Sequence, residues 1–269
     1  MHDNLNKKYY FLAGLPRAGN TLFASLMNQN PTIAVTGNSP VAELIHITTK
    51  LYNDEILRNF PDTRPLDNVI KHIMPNYFEG FKQKYIIDRQ AWGHSILFDK
   101  LKTIIPNKIK VIVLVRPLEE ILASFIKIAQ TTESNYIKSH GKTVDEQCDY
   151  LMSEGGMIDL QLKGIKNLMR FENRGYAHFI EYDDLVNNTK KELDDVYDFL
   201  EIKEHFNHSL TNLSQLTING VQYDDSFSGV KLHTIKTNSI KKSKYNVSDY
   251  LPDYLITKCQ NMNFWRDRY

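Results

Sequence analysis

Two groups of residues in separate parts of the chain have the types and spacing to hold anions. Gly14 to Thr21 follows the pattern G-x-x-x-x-G-x-T, with Arg17 inside it. Glycines so placed let backbone N–H groups and a helix start wrap around a phosphate-like group. Much later, the apolar run Ile109 to Val115 ends in Arg116, and Ser124 comes eight residues after that arginine. A guanidinium is a permanent, fork-shaped cation matched to phosphate oxygens, and a serine hydroxyl from the following helix adds a donor. The set suits two separate anions. It does not suit magnesium and a triphosphate, which need a lysine directly before the threonine and an aspartate after a hydrophobic strand. Asn20 and Arg116 stand at those places. The plainer readings are a tight strand-to-helix connection at Gly14 to Thr21, and a surface ion pair of Arg116 with Glu119 or Glu120.

These residues must be carried by regular elements. Tyr9 to Ala13 reads as a short buried strand entering the glycine turn, and Leu22, Leu26 and Met27 begin a helix after it. Ser39-Pro40 is an N-cap with a first-turn proline, followed by an expected core stripe of Val41, Leu44, Ile45 and Thr48, with Glu43, His46 and Lys50 on the other face. The pattern predicts a helix over Asn68 to Phe81 and then a strand, Tyr85 to Ile87, that delivers Asp88, Arg89 and Trp92. Ile109 to Val115 has no polar residue after Lys110, as expected of a parallel strand buried on both faces. The stripe Ile121, Leu122, Phe125 and Ile128 marks the helix after Arg116-Pro117, with Glu119 and Glu120 in its first turn. Helices are expected across Val144 to Phe171, a last strand at Phe179-Ile180, and a capping box of Thr189 and Glu192 for a helix through Leu200. The order is strand and helix in repeated alternation.

Composition limits the class. With 42% hydrophobic and 24% charged residues, the 269-residue chain can bury the core of one α/β domain, and no repeat or linker divides residues 1–269. Its 33 basic and 32 acidic residues nearly cancel, so any anion site is local and nucleic acid is not an expected partner. Only Cys148 and Cys259 are present, without a CxxC pair, which argues against a disulfide framework or a cysteine zinc site. No segment approaches the roughly 18 uncharged apolar residues of a membrane span. A cytoplasmic protein without a metal is the expectation; His205 and His208 are three apart, but no third ligand is near in sequence.

With these pieces placed, the chain resembles the family of sulfotransferases that use 3′-phosphoadenosine 5′-phosphosulfate (PAPS). GLPRAGNTL, Gly14 to Leu22, is similar to the family's 5′-phosphosulfate loop, commonly Pro-Arg-Ser-Gly-Thr-Thr or Pro-Lys-Ser-Gly-Thr-Thr. VIVLVRPLEEILAS, Val111 to Ser124, is similar to its 3′-phosphate motif, and IEYDDL, Ile180 to Leu185, to its Tyr-Glu-Asp-Leu segment. The motifs are separate and in the family's order. The resemblance implies an α/β three-layer sandwich with a central parallel sheet and a P-loop-like phosphosulfate loop. It implies that Arg17, Ala18, Gly19, Asn20 and Thr21 hold the phosphosulfate, that Arg116 and Ser124 bind the 3′-phosphate, and that Tyr182 lies near the adenine. Leu22 stands where some members place an aromatic that stacks on the adenine, and Asn20 where a Thr or Ser is common. The segment Gly229 to Lys236 is similar to a Gly-Leu-His-Thr-Val-Arg stretch of some bacterial members. It makes Lys231 and Lys236 candidates for a flap over a phosphate, against the alternative of a solvated lysine-rich loop.

Sulfuryl transfer needs in-line geometry and stabilisation of charge on the leaving phosphate. Arg17 is the expected stabiliser. Arg89 stands where related enzymes carry a lysine after a similar strand; it either contacts the sulfuryl group or pairs with Asp88. The acceptor hydroxyl or amine also needs a general base. Glu43 is the first candidate and His46 the reserve, with an ordinary exposed helix face as the bland alternative. The acceptor, whether small molecule, saccharide or protein tyrosine, is unspecified by the sequence. A P-loop small-molecule kinase using ATP and a non-catalytic nucleotide-binding protein are the rival readings.

Overall fold

The computed structural model describes residues 7–55, 62–105, 109–132, 135–215, 217–218, 221–222, 232–235, 238–240, 242 and 245–267. The chain opens with β1 (Lys8–Gly14), α1 (Asn20–Met27), β2 (Ile33–Val35), α2 (Val41–Lys50) and α3 (Arg64–Tyr77). There follow β3 (Tyr85–Arg89), α4 (Ser95–Ile104), β4 (Val111–Val115) and α5 (Leu118–Thr131). Next come α6 (Tyr136–Ser139), α7 (Val144–Leu151), α8 (Met157–Leu168) and β5 (Ala177–Glu181). The remainder is α9 (Tyr182–Asn187), α10 (Thr189–Leu200), a small hairpin of β6 (Thr217–Ile218) and β7 (Val221–Gln222), and α11 (Asp253–Gln260).

The main sheet has the order β2-β3-β1-β4-β5, every pair parallel. All five residues of β4 are fully buried, which explains why that strand is an unbroken apolar run: helices cover the sheet on both sides. Phe11 on β1 pairs in register with Asp88 and Val111 and packs its ring on Trp92, 4.8 Å between centroids. Because β1 is central, the chain leaves it and adds β2 and β3 on one side, then β4 and β5 on the other. The C-terminal ends of β3, β1 and β4 therefore meet at the point where strand order reverses, where open α/β sheets form their ligand crevice.

Several expected elements are shifted, each for a local reason. The helix expected from Asn68 begins at Arg64, because Pro65 sits in the first turn, where its missing N–H costs nothing. On α2 the buried positions are Val41, Ala42 and Ile45, while Leu44 is 43% exposed. With α3 and α4 packed against α2, the small Ala42 side turns inward and Leu44 turns out. The Thr189–Glu192 capping box does not form. Asn188 occupies the cap, and the Thr189 hydroxyl instead donates to Leu185 O at 2.6 Å across the α9–α10 junction. A box does form at α7, where Thr143 is extended, its Oγ1 accepts from Glu146 N at 3.2 Å, and Glu146 Oε2 accepts from Thr143 N at 3.1 Å. The strands β2 and the helices α4 and α11 gave no sequence signal strong enough to place them.

The end of β1 tolerates only glycine. Gly14 has φ 134°, and a Cβ there would lie 2.3 Å from Leu114 O on β4. Gly14→Ala is expected to lower stability by about 3 kcal/mol, combining left-handed strain with displacement of a sheet carbonyl; urea unfolding monitored by circular dichroism reads the change.

Candidate active site

The loop between β1 and α1 wraps around a cavity of about 500 Å³. Three of its residues have positive φ: Gly14, Gly19 at 91° and Arg17 at 63°. The two glycines adopt this at no steric cost, whereas Arg17 must be held there. Arg116 Nη1 donates to the Arg17 carbonyl at 3.1 Å, and the Arg17 side chain donates from Nε to Ser124 Oγ at 3.2 Å and from Nη1 to Leu232 O at 3.1 Å. Asn20 closes the loop by donating from Nδ2 to Leu15 O at 2.8 Å, which explains an amide where a lysine would otherwise reach outward. Helix α1 has Gly19 as its N-cap and no side-chain cap, so its first N–H groups face the cavity uncapped. Thr21 and Leu22 also line the cavity, and Ala18 is fully buried beneath it.

Arg116 leaves the end of β4 and is only 4% exposed. Its Nε donates to Glu120 Oε2 at 2.9 Å and its Nη2 to Tyr245 Oη at 2.9 Å, while its guanidinium lies 4.3 Å from the centre of the Tyr182 ring. The pair with Glu120 thus exists, but its arginine is buried and lines the cavity, and Glu120 is half-buried behind it. Glu119 is engaged elsewhere, accepting from Asn263 Nδ2. Tyr182, the first residue of α9, closes against Gly19: a Cβ at Gly19 would meet its ring at 3.0 Å. Burial and the neighbouring Arg116 together pull the Arg17 guanidinium below its ordinary pKa. Two cations lining one cavity, with a single carboxylate paired to Arg116 alone, leave the site short of negative charge and suited to an anion.

At the end of β3 the two charges separate. Asp88 is 1% exposed and takes the Thr36 hydroxyl on Oδ1 at 2.8 Å and the Trp92 indole N–H on Oδ2 at 3.1 Å. Burial pushes its carboxyl up to about 6, against the downward pull of hydrogen bonds from Ser39, Thr36 and Trp92. Arg89 lines the cavity, with Nη1 donating to Gly37 O at 2.9 Å and Asn38 Oδ1 at 3.2 Å and lying 3.3 Å from His233 Nε2.

The structure therefore gathers Arg17, Gly19, Asn20, Thr21, Leu22, Arg89, Arg116 and Tyr182 around one cavity, with Ser124 in contact through Arg17. It does not bring Glu43 there. Glu43 is exposed on α2, and neither it nor the half-buried His46 lines the cavity. Lys231 and Lys236 lie outside the described residues; Lys242 pairs with Asp183 Oδ2 at 2.6 Å on the surface of α9. His205 and His208 serve the fold: His208 Nδ1 donates to Leu26 O at 2.8 Å, and His205 lies against Asp194 and Asp198. Residues missed in the sequence are His233, the one imidazole among the described lining residues, Gln161, which accepts from Gly14 N at 3.1 Å, and Tyr245. Of these only His233 stood in a motif-like stretch.

The family model for the sulfotransferase domain matches residues 7–244. The chain belongs to the sulfotransferase family. Among solved structures, this sulfotransferase is similar to the sulfotransferase domain of the curacin biosynthetic pathway, 15% identical with TM-score 0.61 over 98% of both chains. It is similar also to the sulfotransferase domain of the Synechococcus PCC 7002 olefin synthase, 17% identical with TM-score 0.54 over 86% of both chains. A third is a mouse sulfotransferase complexed with PAP, 12% identical with TM-score 0.58 over 97% of this chain and 84% of that one. At such identities the likeness establishes the fold. No curated protein matches the chain. Among the described residues of the sulfotransferase, no helix is long and apolar enough to cross a membrane.

Asp88 gives this sulfotransferase a pH signature. Its folded-state pKa, about 6, lies above the ordinary 3.8, so the folded state binds the proton more tightly and ionisation costs stability. That cost grows as pH rises from about 4 to 6 and stays in place above. Between pH 4 and pH 7 the parent is expected to lose about 2 kcal/mol of unfolding free energy relative to Asp88→Asn, read from urea titrations at the two pH values.

Proposed function

We propose that the sulfuryl donor is PAPS and that the acceptor is a hydroxyl or amine brought to the Arg89 side of the cavity by a single cytoplasmic domain. The observation that carries this reading is the pair of guanidiniums, Arg17 and Arg116, that line one cavity beyond the ends of neighbouring strands, with Arg116 bonded to the Arg17 carbonyl and Arg17 to Ser124. Two linked cationic points match a nucleotide with separate 5′ and 3′ anions. The cavity falls within the size range of nucleotide and drug-like sites. The mouse relative, solved with PAP, supports the same donor.

In this reading the N–H groups of Gly19 to Thr21 and the Arg17 side chain hold the 5′-phosphosulfate. Arg116, Ser124 and Tyr245 hold the 3′-phosphate, and the Tyr182 ring flanks the adenine beside Leu22. Arg89 faces the sulfuryl oxygens. As the acceptor oxygen or nitrogen bonds to sulfur, the bond from sulfur to the bridging phosphate oxygen breaks, and Arg17 stabilises the charge that develops on the departing phosphate. The acceptor proton goes to His233 rather than Glu43. Its Nε2 lies 3.3 Å from Arg89 Nη1, so the ring's own proton is on Nδ1 and the basic lone pair on Nε2; that nitrogen releases the Arg89 contact as it takes the acceptor proton. Beyond Arg89 the walls are Ala91, Met157 and Leu160 with Gln90 and Gln161, which suits an acceptor with an apolar body and a polar handle.

Calorimetry without magnesium is expected to show PAP binding that weakens about 30-fold in Arg116→Ala, the scale of hydrogen bonds to a charged group. No binding, or preference for magnesium–ATP, would transfer the assignment to a kinase. In turnover assays with PAPS, His233→Gln is expected to lose about 100-fold in kcat, the lower range for a general base, while Glu43→Gln stays within a few-fold of the parent.

A further inference from the structure

Arg89 is useful to the reaction only if its guanidinium points into the cavity, and, beside His233, the groups that aim it come from the segment Thr36 to Ser39. Gly37 O and Asn38 Oδ1 accept from Arg89 Nη1, and Thr36 Oγ1 accepts from the Arg89 backbone N–H at 2.9 Å. The segment is itself gathered onto one carboxylate. Thr36 Oγ1 donates to Asp88 Oδ1, the Ser39 side chain hydrogen-bonds to the same group, and Trp92 Nε1 closes on Oδ2. Ser39 then seats α2 by accepting from Val41 N at 3.2 Å, and its carbonyl accepts from Gln90 Nε2 at 2.7 Å.

A carboxylate is the one side chain here that only accepts. Facing it, the Thr36 hydroxyl must donate its single proton to Asp88, and this leaves its lone pairs for the Arg89 N–H. An amide at position 88 removes that compulsion: its NH₂ can donate to Thr36 Oγ1, and the hydroxyl proton then turns elsewhere. Burying a charged carboxylate costs stability, so its contribution lies in orientation. We propose that Asp88 is a positioning residue for sulfuryl transfer, acting through the Thr36 hydroxyl and the Thr36 to Ser39 segment to aim the Arg89 guanidinium. The inference rests on the reading of Arg89 as the sulfuryl contact.

The test is steady-state kinetics with PAPS alongside PAP calorimetry for Thr36→Val, Thr36→Ser, Asp88→Asn, Arg89→Ala and the double variant Thr36→Val/Arg89→Ala. Valine keeps the shape of threonine and deletes only the hydroxyl. Thr36→Val and Asp88→Asn are each expected to lower kcat about 10-fold or more with the PAP dissociation constant within twofold of the parent. Thr36→Ser is expected to restore kcat to within threefold, and the double variant to be no slower than Arg89→Ala alone. If Thr36→Val does not fold, Asp88→Asn carries the same comparison. Parental kcat in Thr36→Val and Asp88→Asn with Arg89→Ala slow would overturn the positioning role alone. So would Thr36→Ser as slow as Thr36→Val, or additive losses in the double variant. Parental kcat in Arg89→Ala would remove the Arg89 reading itself, and this inference with it.

Discussion

Two guanidinium groups that repel each other line the same crevice, and most of the local architecture can be understood as the means of keeping them there. Arg116 has a formal partner in Glu120, whereas Arg17 is met by dipoles, the Ser124 hydroxyl and the Leu232 carbonyl. Like charges at contact range repel by a few kcal/mol even at an effective dielectric near 20. Desolvation first, and this repulsion second, displace the Arg17 pKa downward. A folded protein can bear this only if the backbone carrying each charge is fixed by something stronger. Here β1 and β4 are bound in parallel register from Phe11 to Gly14, and their apolar residues are buried on both faces. Folding thus places the charges; a bound dianion relieves them, so affinity is built in before any ligand arrives.

The same constraint explains the conformation of the glycine loop. Arg17 adopts a left-handed backbone that costs about 1 kcal/mol for a residue with a Cβ, and the Arg116 side chain donates to its carbonyl in that conformation. The loop and the second cation are therefore coupled: the Arg116 side chain holds the loop backbone, and the loop carbonyl orients Arg116. Tyr182 adds the third wall by packing on Gly19 from one side and on the Arg116 guanidinium from the other.

How much of this was legible in the sequence follows from how local each signal is. Gly14, Arg17, Gly19 and Arg116 stand out because they sit at or just beyond strand ends, where glycine permits a sharp turn and a cation after an apolar run is conspicuous. Tyr182 and Ser124 followed from motif order. By contrast, Leu44 and Ala42 differ by only half a helical turn, and which of them is buried depends on the packing of α3 and α4, which no window of α2 contains. Thr189 with Glu192 and Thr143 with Glu146 have the same box spacing; only the extended backbone of Thr143 distinguishes them. Tyr245 and His233 are farther still. They reach the site from the C-terminal part of the chain by long-range contacts with Arg116 and Arg89, for which spacing gives no guide.

That origin has a consequence for the chemistry. The dipeptide Leu232-His233 touches the loop cation Arg17 and the strand-end cation Arg89 at once, the carbonyl of Leu232 on Arg17 and the imidazole of His233 near Arg89. In the proposed mechanism one of these arginines stabilises the leaving phosphate and the other faces the sulfuryl oxygens. The base on the same dipeptide is then registered against both, along the line on which sulfur moves. An exposed glutamate on α2 gives no such registration, because Glu43 does not line the cavity that both guanidiniums face. Supplying the base from a segment that also contacts Arg17 makes proton removal depend on the geometry of the donor site. An acceptor proton is then drawn off only where the leaving phosphate is also held, which protects the donor against transfer in an incompletely assembled site.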